Sequence, residues 1–237
     1  MNNIVRTRRI LNDLKQFESK QGENRVYYIP VSDDTISEVY VMIIGPEDTP
    51  YELGFYFFLA TYPENYPFAP IKVKYLTTES NVRMNPNLYG NGKVCLSILG
   101  TWNGPGWTSL MNIFTVFNSI VAEIFVKEPF KNEPGQEYTS KTTNSKYNNY
   151  LNHENLRLAI IGNFMNIKKH NKYFYHISSD FFKKNKEKYS KLLDFYKKKE
   201  EENKNIPLLT TPLWTRVKIQ NKYKILCDNL NLLILKE

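Results

Sequence analysis

The chain has 237 residues, 41% of them apolar and 24% charged, an ordinary globular balance that excludes general disorder and leaves room for one sizeable domain plus an appendage. The net charge of +8 sits at one end, because residues 1–165 hold 15 Lys and Arg against 16 Asp and Glu, whereas residues 166–237 hold 17 against 8. That split argues against a nucleic-acid-binding surface on the first two-thirds, and a salt-dependent contact by the basic tail is the form such binding would take.

No run of about 18 uncharged apolar residues offers a membrane span. Met1–Ile10 carries three arginines and no apolar core, so a secretory leader is not expected there. The two cysteines, Cys95 and Cys227, and the three histidines, His153, His170 and His176, show no metal-ligand spacing. The expectation is a cytoplasmic or nuclear protein without a metal.

In chain order, a first helix is expected with Thr7 as cap and Ile10, Leu11, Leu14 and Phe17 on one face. Arg6, Arg8, Arg9 and Lys15 lie on its outer side, as a solvated face or as a docking surface for an acidic partner. Four runs rich in β-branched and aromatic residues follow: Val26–Val31, Glu38–Ile44, Gly54–Thr61 and Ile71–Tyr75. Turn residues such as Ser32-Asp33-Asp34 and Gly45-Pro46 separate them, which predicts a four-stranded antiparallel meander.

The stretch from Thr77 to Thr108 is irregular and long, and such loops in compact domains are usually functional. Beyond it, Ser109 is expected to cap a broad apolar helix (Ile113, Phe114, Phe117, Ile120, Val121, Ile124, Phe125) that Pro129 and Pro134 terminate. A further helix reads from about Tyr147 to Ile167, and another from Ser179 to about Glu201. In the second, Phe182, Tyr189, Leu192, Leu193 and Tyr196 share one side, and the surrounding lysines read as a solvated face. Ile206–Glu237, with Trp214 and Leu230–Leu235, reads as a small packed element.

Chemistry concentrates in the long loop. Cys95 alone could be a small buried apolar side chain, as most free cysteines are. Yet Asn87, Gly90, Asn91 and Gly92 surround it with amide and backbone donors, and Lys93 stands two residues before it. No histidine is near in sequence, which disfavours a Cys/His hydrolase pair. Thiol exchange with an acyl group that arrives already activated needs no strong base.

Tyr66-Pro67-Phe68-Ala69-Pro70, Asn85-Pro86-Asn87 and Gly92-Lys93-Val94-Cys95-Leu96-Ser97-Ile98-Leu99, together with Arg9-Ile10, Asp13-Leu14 and Ile44-Gly45-Pro46, resemble the ubiquitin-conjugating enzymes. Asn87 lies eight residues before Cys95, as the family's Asn does before its cysteine. The likeness covers about residues 5–165. Gly100–Trp107 and Asn132-Glu133-Pro134-Gly135 are similar to the Z-type branch and to the conjugating domain of the giant inhibitor-of-apoptosis conjugating enzyme.

The resemblance implies an α+β fold with a four-stranded antiparallel sheet flanked by helices. It implies a catalytic domain over residues 1–167 and a basic, mostly helical extension over 168–237. Cys95 would carry ubiquitin, or a ubiquitin-like modifier, as a thioester received from an activating enzyme. Asn87 would donate to the oxyanion or to the loop that shapes the site, and Glu133 would orient or deprotonate an incoming lysine.

Arg8, Arg9 and Lys15 would meet the activating enzyme, and Phe68 and Trp107 a ligase. No cofactor is implied; ATP is consumed by the activating enzyme. Three departures stand out: Asn85 replaces the tripeptide histidine, Thr108-Ser109-Leu110 replaces the ligase-facing Ser-Pro-Ala loop, and the tail is longer than the minimal domain. A catalytically silent scaffold of the same pathway and a nucleic-acid-binding protein are the rival readings, and Cys95 beside an intact Asn87 counts against the first.

Overall fold

A computed structural model describes residues 3–32, 34–79, 82–165, 172–202 and 223–236. The four strands are β1 (Val26–Ser32), β2 (Thr35–Ile44), β3 (Phe55–Thr61) and β4 (Lys72–Tyr75), antiparallel and in the order β1-β2-β3-β4. This is the expected meander. Its register pairs Val41 with Tyr28 on one side and with Phe58 on the other.

Alternation along the strands creates two apolar faces. Val26, Tyr28, Val39, Val41, Ile43, Tyr56, Phe58 and Ala60 face one core. There they meet Ile10, Leu14 and Phe17 of helix α1 (Asn3–Glu18) and Ile113, Val116, Phe117 and Ile120 of helix α2 (Ile113–Glu123). The α1 helix starts before Thr7, so Thr7 lies inside it and caps nothing; Leu11 points to solvent. For α2 the cap is Asn112, whose side chain accepts from the Thr115 N–H at 2.9 Å, and not Ser109. This helix ends at Glu123, ahead of Pro129, which instead opens a short 3-10 turn over Pro129–Asn132.

The other face, with Met42, Ile44 and Phe55 buried, belongs to a second core that the C-terminal helices complete. Helix α3 (Lys141–Glu154) is capped by Ser140, earlier than expected, and continues as a wider π-type coil over Asn155–Gly162. Beyond it come α4 (Lys172–Lys184), α5 (Lys186–Glu202) and α6 (Tyr223–Lys236). The single helix expected over Ser179–Glu201 is thus two helices, broken at Asn185. The Asn185 N–H is shared between the Phe181 and Phe182 carbonyls, and its side chain returns a bond to Phe181 O at 2.8 Å.

The break lets the rings of Phe182 and Tyr189 stack at 4.0 Å between centroids. Phe182, Tyr189, Leu193 and Tyr196 all turn inward, as their spacing implied, and residues of the sheet and of the extension interleave in one core. Lys188 fastens the outside, 3.0 Å from both Glu47 and Glu52. Asn155 bridges the Tyr56 hydroxyl (2.6 Å) and Glu52 O (2.8 Å) so closely that a Cβ on Gly54 would stand 2.1 Å from its Oδ1. Trp214 lies outside the described residues, and Leu230–Leu235 lies on α6. Among the described residues no helix is long and apolar enough to cross a membrane.

Candidate active site

The loop that looked irregular contains a reversal with strand-like pairing. Leu88 pairs with Val94, Cys95 N–H donates to Asn87 O at 2.9 Å, and Tyr89 N–H donates to Lys93 O at 3.0 Å. Because side chains alternate across paired strands, Leu88 and Val94 enter the core, and Asn87, Tyr89, Lys93 and Cys95 share the opposite face. Gly92 makes the turn possible, with φ of 89° and Tyr75 O placed where a Cβ would come within 2.8 Å.

Polar side chains hold this reversal from both sides. Asn85, fully buried, donates to Ile124 O (2.8 Å) and to the Tyr51 hydroxyl (2.9 Å) and accepts from Asn87 N–H (2.8 Å). Asn87 then donates its side-chain amide to Cys95 O at 2.9 Å. Thr101 locks the far side, since its hydroxyl donates to Val94 O (2.7 Å) and accepts from Leu96 N–H (2.9 Å). The amide-rich surroundings expected to serve Cys95 thus largely serve the loop itself; Asn91, for example, accepts from Lys93 N–H at 3.0 Å.

Cys95 is only 1% exposed. Burial pushes its thiol above the ordinary value, and Lys93, Arg83 and Tyr89 pull in the opposite direction. Its neighbours Asn87 and Leu96 line a cleft of about 590 Å³, together with Thr101, Trp102, Glu123 and Asn132, among others. Glu133 follows the 3-10 turn, and its Oε2 stands 3.7 Å from Arg83 Nη2. Burial raises that carboxyl, and Arg83 counteracts the rise.

The remaining expected residues fall on two outer surfaces. Arg8 and Lys15 are exposed on α1. Arg9 is engaged by Asp13 and by the Ser109 and Met111 carbonyls, both at 2.8 Å, so it ties α1 to the loop that leads into α2. The same Asp13, buried, accepts from the Tyr66 hydroxyl. Phe68 is 72% exposed and Leu110 88%, so each presents apolar surface to solvent. Trp107 is half-buried, and its Nε1 donates to Pro67 O at 2.7 Å.

Sequence reasoning passed over Arg83, Tyr89, Thr101 and Asn132. Tyr89 was recoverable in principle, since it lies two residues after Asn87 and opposite Lys93 once the reversal is drawn. Among the described residues no group of His, Cys, Asp and Glu is arranged to hold a metal.

Comparison with known proteins gives one family. A family model described as "Ubiquitin-conjugating enzyme" matches residues 9–156. "Ubiquitin-conjugating enzyme E2 Z" of Xenopus tropicalis is 44% identical over 143 residues, which cover 60% of this chain and 45% of that protein. "Probable ubiquitin-conjugating enzyme protein 17" of Caenorhabditis elegans is 41% identical over 166 residues, 65% of this chain and 23% of the relative. The human "Dual E2 ubiquitin-conjugating enzyme/E3 ubiquitin-protein ligase BIRC6" is 34% identical over 167 residues, 68% and 3% respectively. The match therefore spans less than half the length of these curated relatives.

Proposed function

This chain belongs to the ubiquitin-conjugating enzyme family, and from that premise we propose that it carries ubiquitin or a ubiquitin-like modifier as a thioester on Cys95. The observation that carries the proposal is the reciprocal bonding of Asn87 and Cys95 across the reversal. The eight-residue spacing thereby becomes a fixed position for one thiol, whose neighbours Asn87 and Leu96 line a cleft.

In the first step the Cys95 thiolate attacks the acyl carbon of the modifier held on the activating enzyme. Its S–C bond forms, and the activating enzyme's thiolate leaves. A substrate lysine amine, which gives up a proton as its N–C bond forms, or a ligase cysteine thiolate then attacks the Cys95 thioester, and the Cys95 thiolate leaves. Exchange between thioesters is close to energetically balanced, so the protein's task is to align and expose the sulfur. No metal or organic cofactor is needed, and the ATP is consumed by the activating enzyme.

Asn87 acts by holding the loop, since its amide is bonded to the Cys95 carbonyl. Glu133 orients or deprotonates the incoming amine, and its raised pKa strengthens it as a base. Arg8 and Lys15 offer exposed cations to the activating enzyme, with Arg9 setting the angle of their helix. Phe68 offers the apolar contact for a ligase, and Trp107 supports it from beneath through Pro67. The proposed place of action is the cytoplasm or nucleus.

The test is a loading assay with ubiquitin, ATP and each of the two ubiquitin-activating enzymes, read on a gel with and without thiol reductant. A reductant-sensitive adduct that survives Cys227→Ser and is lost in Cys95→Ser is the expected result. Absence of any adduct with either enzyme, and with a tandem ubiquitin-like modifier, would overturn the proposal.

A further inference from the structure

The turn of the Cys95 reversal is held at both ends by one neighbouring segment. Tyr75 N–H, at the end of β4, donates to Gly92 O at 2.8 Å, and farther along the same segment the Thr78 hydroxyl donates to Gly90 O at 2.9 Å. The reversal's apolar anchors, Leu88 and Val94, lie to either side of the turn, and Gly90, Asn91 and Gly92 bring no apolar side chain to pack. The turn therefore depends on these bonds, and the placement of residues 75–79 sets where it sits.

That segment is held in turn by the coil that follows α3. Asn163 Nδ2 donates to Thr77 Oγ1 at 2.9 Å, and Arg157 grips the Glu79 carboxylate with Nη1 at 2.8 Å and Nη2 at 2.9 Å. The guanidinium is itself fixed, because its Nε donates to Oε2 of the buried Glu154 at 3.0 Å. A planar fork seated on one carboxylate presents its remaining N–H groups in a set direction. The coil is of the π type over Asn155–Gly162, a rare form that recurs at functional sites.

Taking Cys95 as the nucleophile, we propose that Arg157 is a positioning residue for thioester transfer. Through Glu79 and Thr78 it sets the turn at Gly90, and with it the strand-like arm that presents the Cys95 sulfur. The Glu79 side chain is 53% exposed, a setting in which an ion pair adds little to the stability of a fold. Its contribution is directional. Arg157 joins the coil to the segment that the turn hangs from, and the pairing of Tyr89 with Lys93 and of Asn87 with Cys95 carries that placement down the reversal to the sulfur.

The experiment compares Arg157→Lys, Glu79→Ala and Thr78→Val in the full-length chain. Lysine keeps a cation on the buried Glu154 but cannot fork to Glu79 as well. Alanine removes a carboxylate from a half-exposed position, and valine removes the hydroxyl bond to Gly90 O. Backbone hydrogen exchange, followed by mass spectrometry, should quicken about fivefold over residues 87–95 in each variant, the factor for one net hydrogen bond, and stay unchanged over β1 and β2. Single-turnover discharge of the Cys95 thioester to free lysine should slow about threefold at saturating lysine, with the half-saturating concentration unmoved. Because the three residues act in series, Arg157→Lys combined with Thr78→Val should be no worse than Thr78→Val alone in either measurement.

Exchange left unchanged over residues 87–95 in Arg157→Lys or in Glu79→Ala overturns the proposal, as does exchange raised equally over the sheet, which general loosening would give. Additive losses in the combined variant overturn the series. Quickened exchange with undiminished discharge overturns the role in transfer. A wild-type chain that fails to load refutes the conjugating role, and the exchange of residues 87–95 then judges the hold of Arg157 on the turn by itself.

Discussion

On the inner side of the sheet, α1 and α2 cover the face formed by Val39, Val41, Ile43, Phe58 and Ala60, and the reversal that carries Cys95 hangs from the edge of that core through Leu88 and Val94. On the outer side, Met42, Ile44 and Phe55 are covered by α4, α5, α6 and the π-type coil. The first region owes its shape to side-chain hydrogen bonds at fixed positions, from Asn85, Asn87 and Thr101. The second buries its large side chains by apolar volume and aromatic stacking. Damage to the first should therefore disturb chemistry before stability, and damage to the second should do the reverse.

The largest stability effect is expected from Tyr189→Ala. The ring is fully buried, stacks on Phe182, and its hydroxyl donates to Leu53 O at 2.8 Å, across the seam between α5 and the strand loop. Truncating a buried aromatic costs about 3–5 kcal/mol, which lowers the melting temperature by about 10 °C in a chain of this size. Measured on the fraction still folded at low temperature, the rate of Cys95 alkylation should match the wild type. A matching loss of reactivity would break the distinction between the two regions.

An intermediate effect belongs to the buried ionic group that joins them. Glu154, 1% exposed, is bonded to His153 Nδ1 at 2.9 Å and to the Arg157 guanidinium, which also grips Glu79 with two bonds of 2.8 and 2.9 Å. Burial works against the Glu154 charge, and the His153 and Arg157 bonds outweigh it, so its pKa lies below the ordinary 4.5. A depressed carboxyl stabilises the fold fully above its unfolded-state pKa, and that contribution disappears as the pH falls through the folded value. Glu154→Gln should cost about 3 kcal/mol at pH 7. Its deficit against the wild type should narrow below about pH 4, as followed by urea melts across the acid range.

The contrast also explains what the sequence made legible. The nearness of Asn87 to Cys95 was implied by their spacing, and the meander could be read because its turns carry Pro, Gly and Asp. The caps were misplaced at Thr7 and Ser109 because a capping residue announces itself only once the helix start is known. The extension's inward side was visible in the spacing of Phe182, Tyr189 and Leu193, but the break at Asn185 was not, since one residue whose side chain bonds backward leaves the periodicity intact. A further signal went unread. The run Val39–Ile44 is apolar on both alternations and so is Phe55–Ala60, which is the pattern of strands covered on two faces. The register that sets Tyr89 opposite Lys93 becomes legible only once the reversal is drawn, because that stretch carries almost no strand signal.

The smallest stability effect, and the sharpest separation, is expected from Thr101→Val. Valine fills the same volume and removes the hydroxyl that bonds Val94 O at 2.7 Å, Leu96 O at 3.2 Å and Leu96 N–H at 2.9 Å, the two backbone neighbours of Cys95. Because Thr101 is exposed and solvent can replace some of these bonds, the cost should be about 1–2 kcal/mol. That is too little to unfold the chain at room temperature. The Cys95 segment, however, loses its anchor on the Leu96 side and keeps only the Asn87 bonds on the other. Transfer from the thioester to a lysine should fall about tenfold, because a sulfur displaced by a fraction of an ångström no longer presents its acyl carbon at the attacking angle. A single-turnover discharge assay alongside a thermal melt reads both quantities on one sample. Loss of transfer with a near-normal melt in Thr101→Val, set against the opposite pattern in Tyr189→Ala, would establish that the two regions are separable. Parallel losses in both variants would mean that the extension's core and the reversal form one cooperative unit.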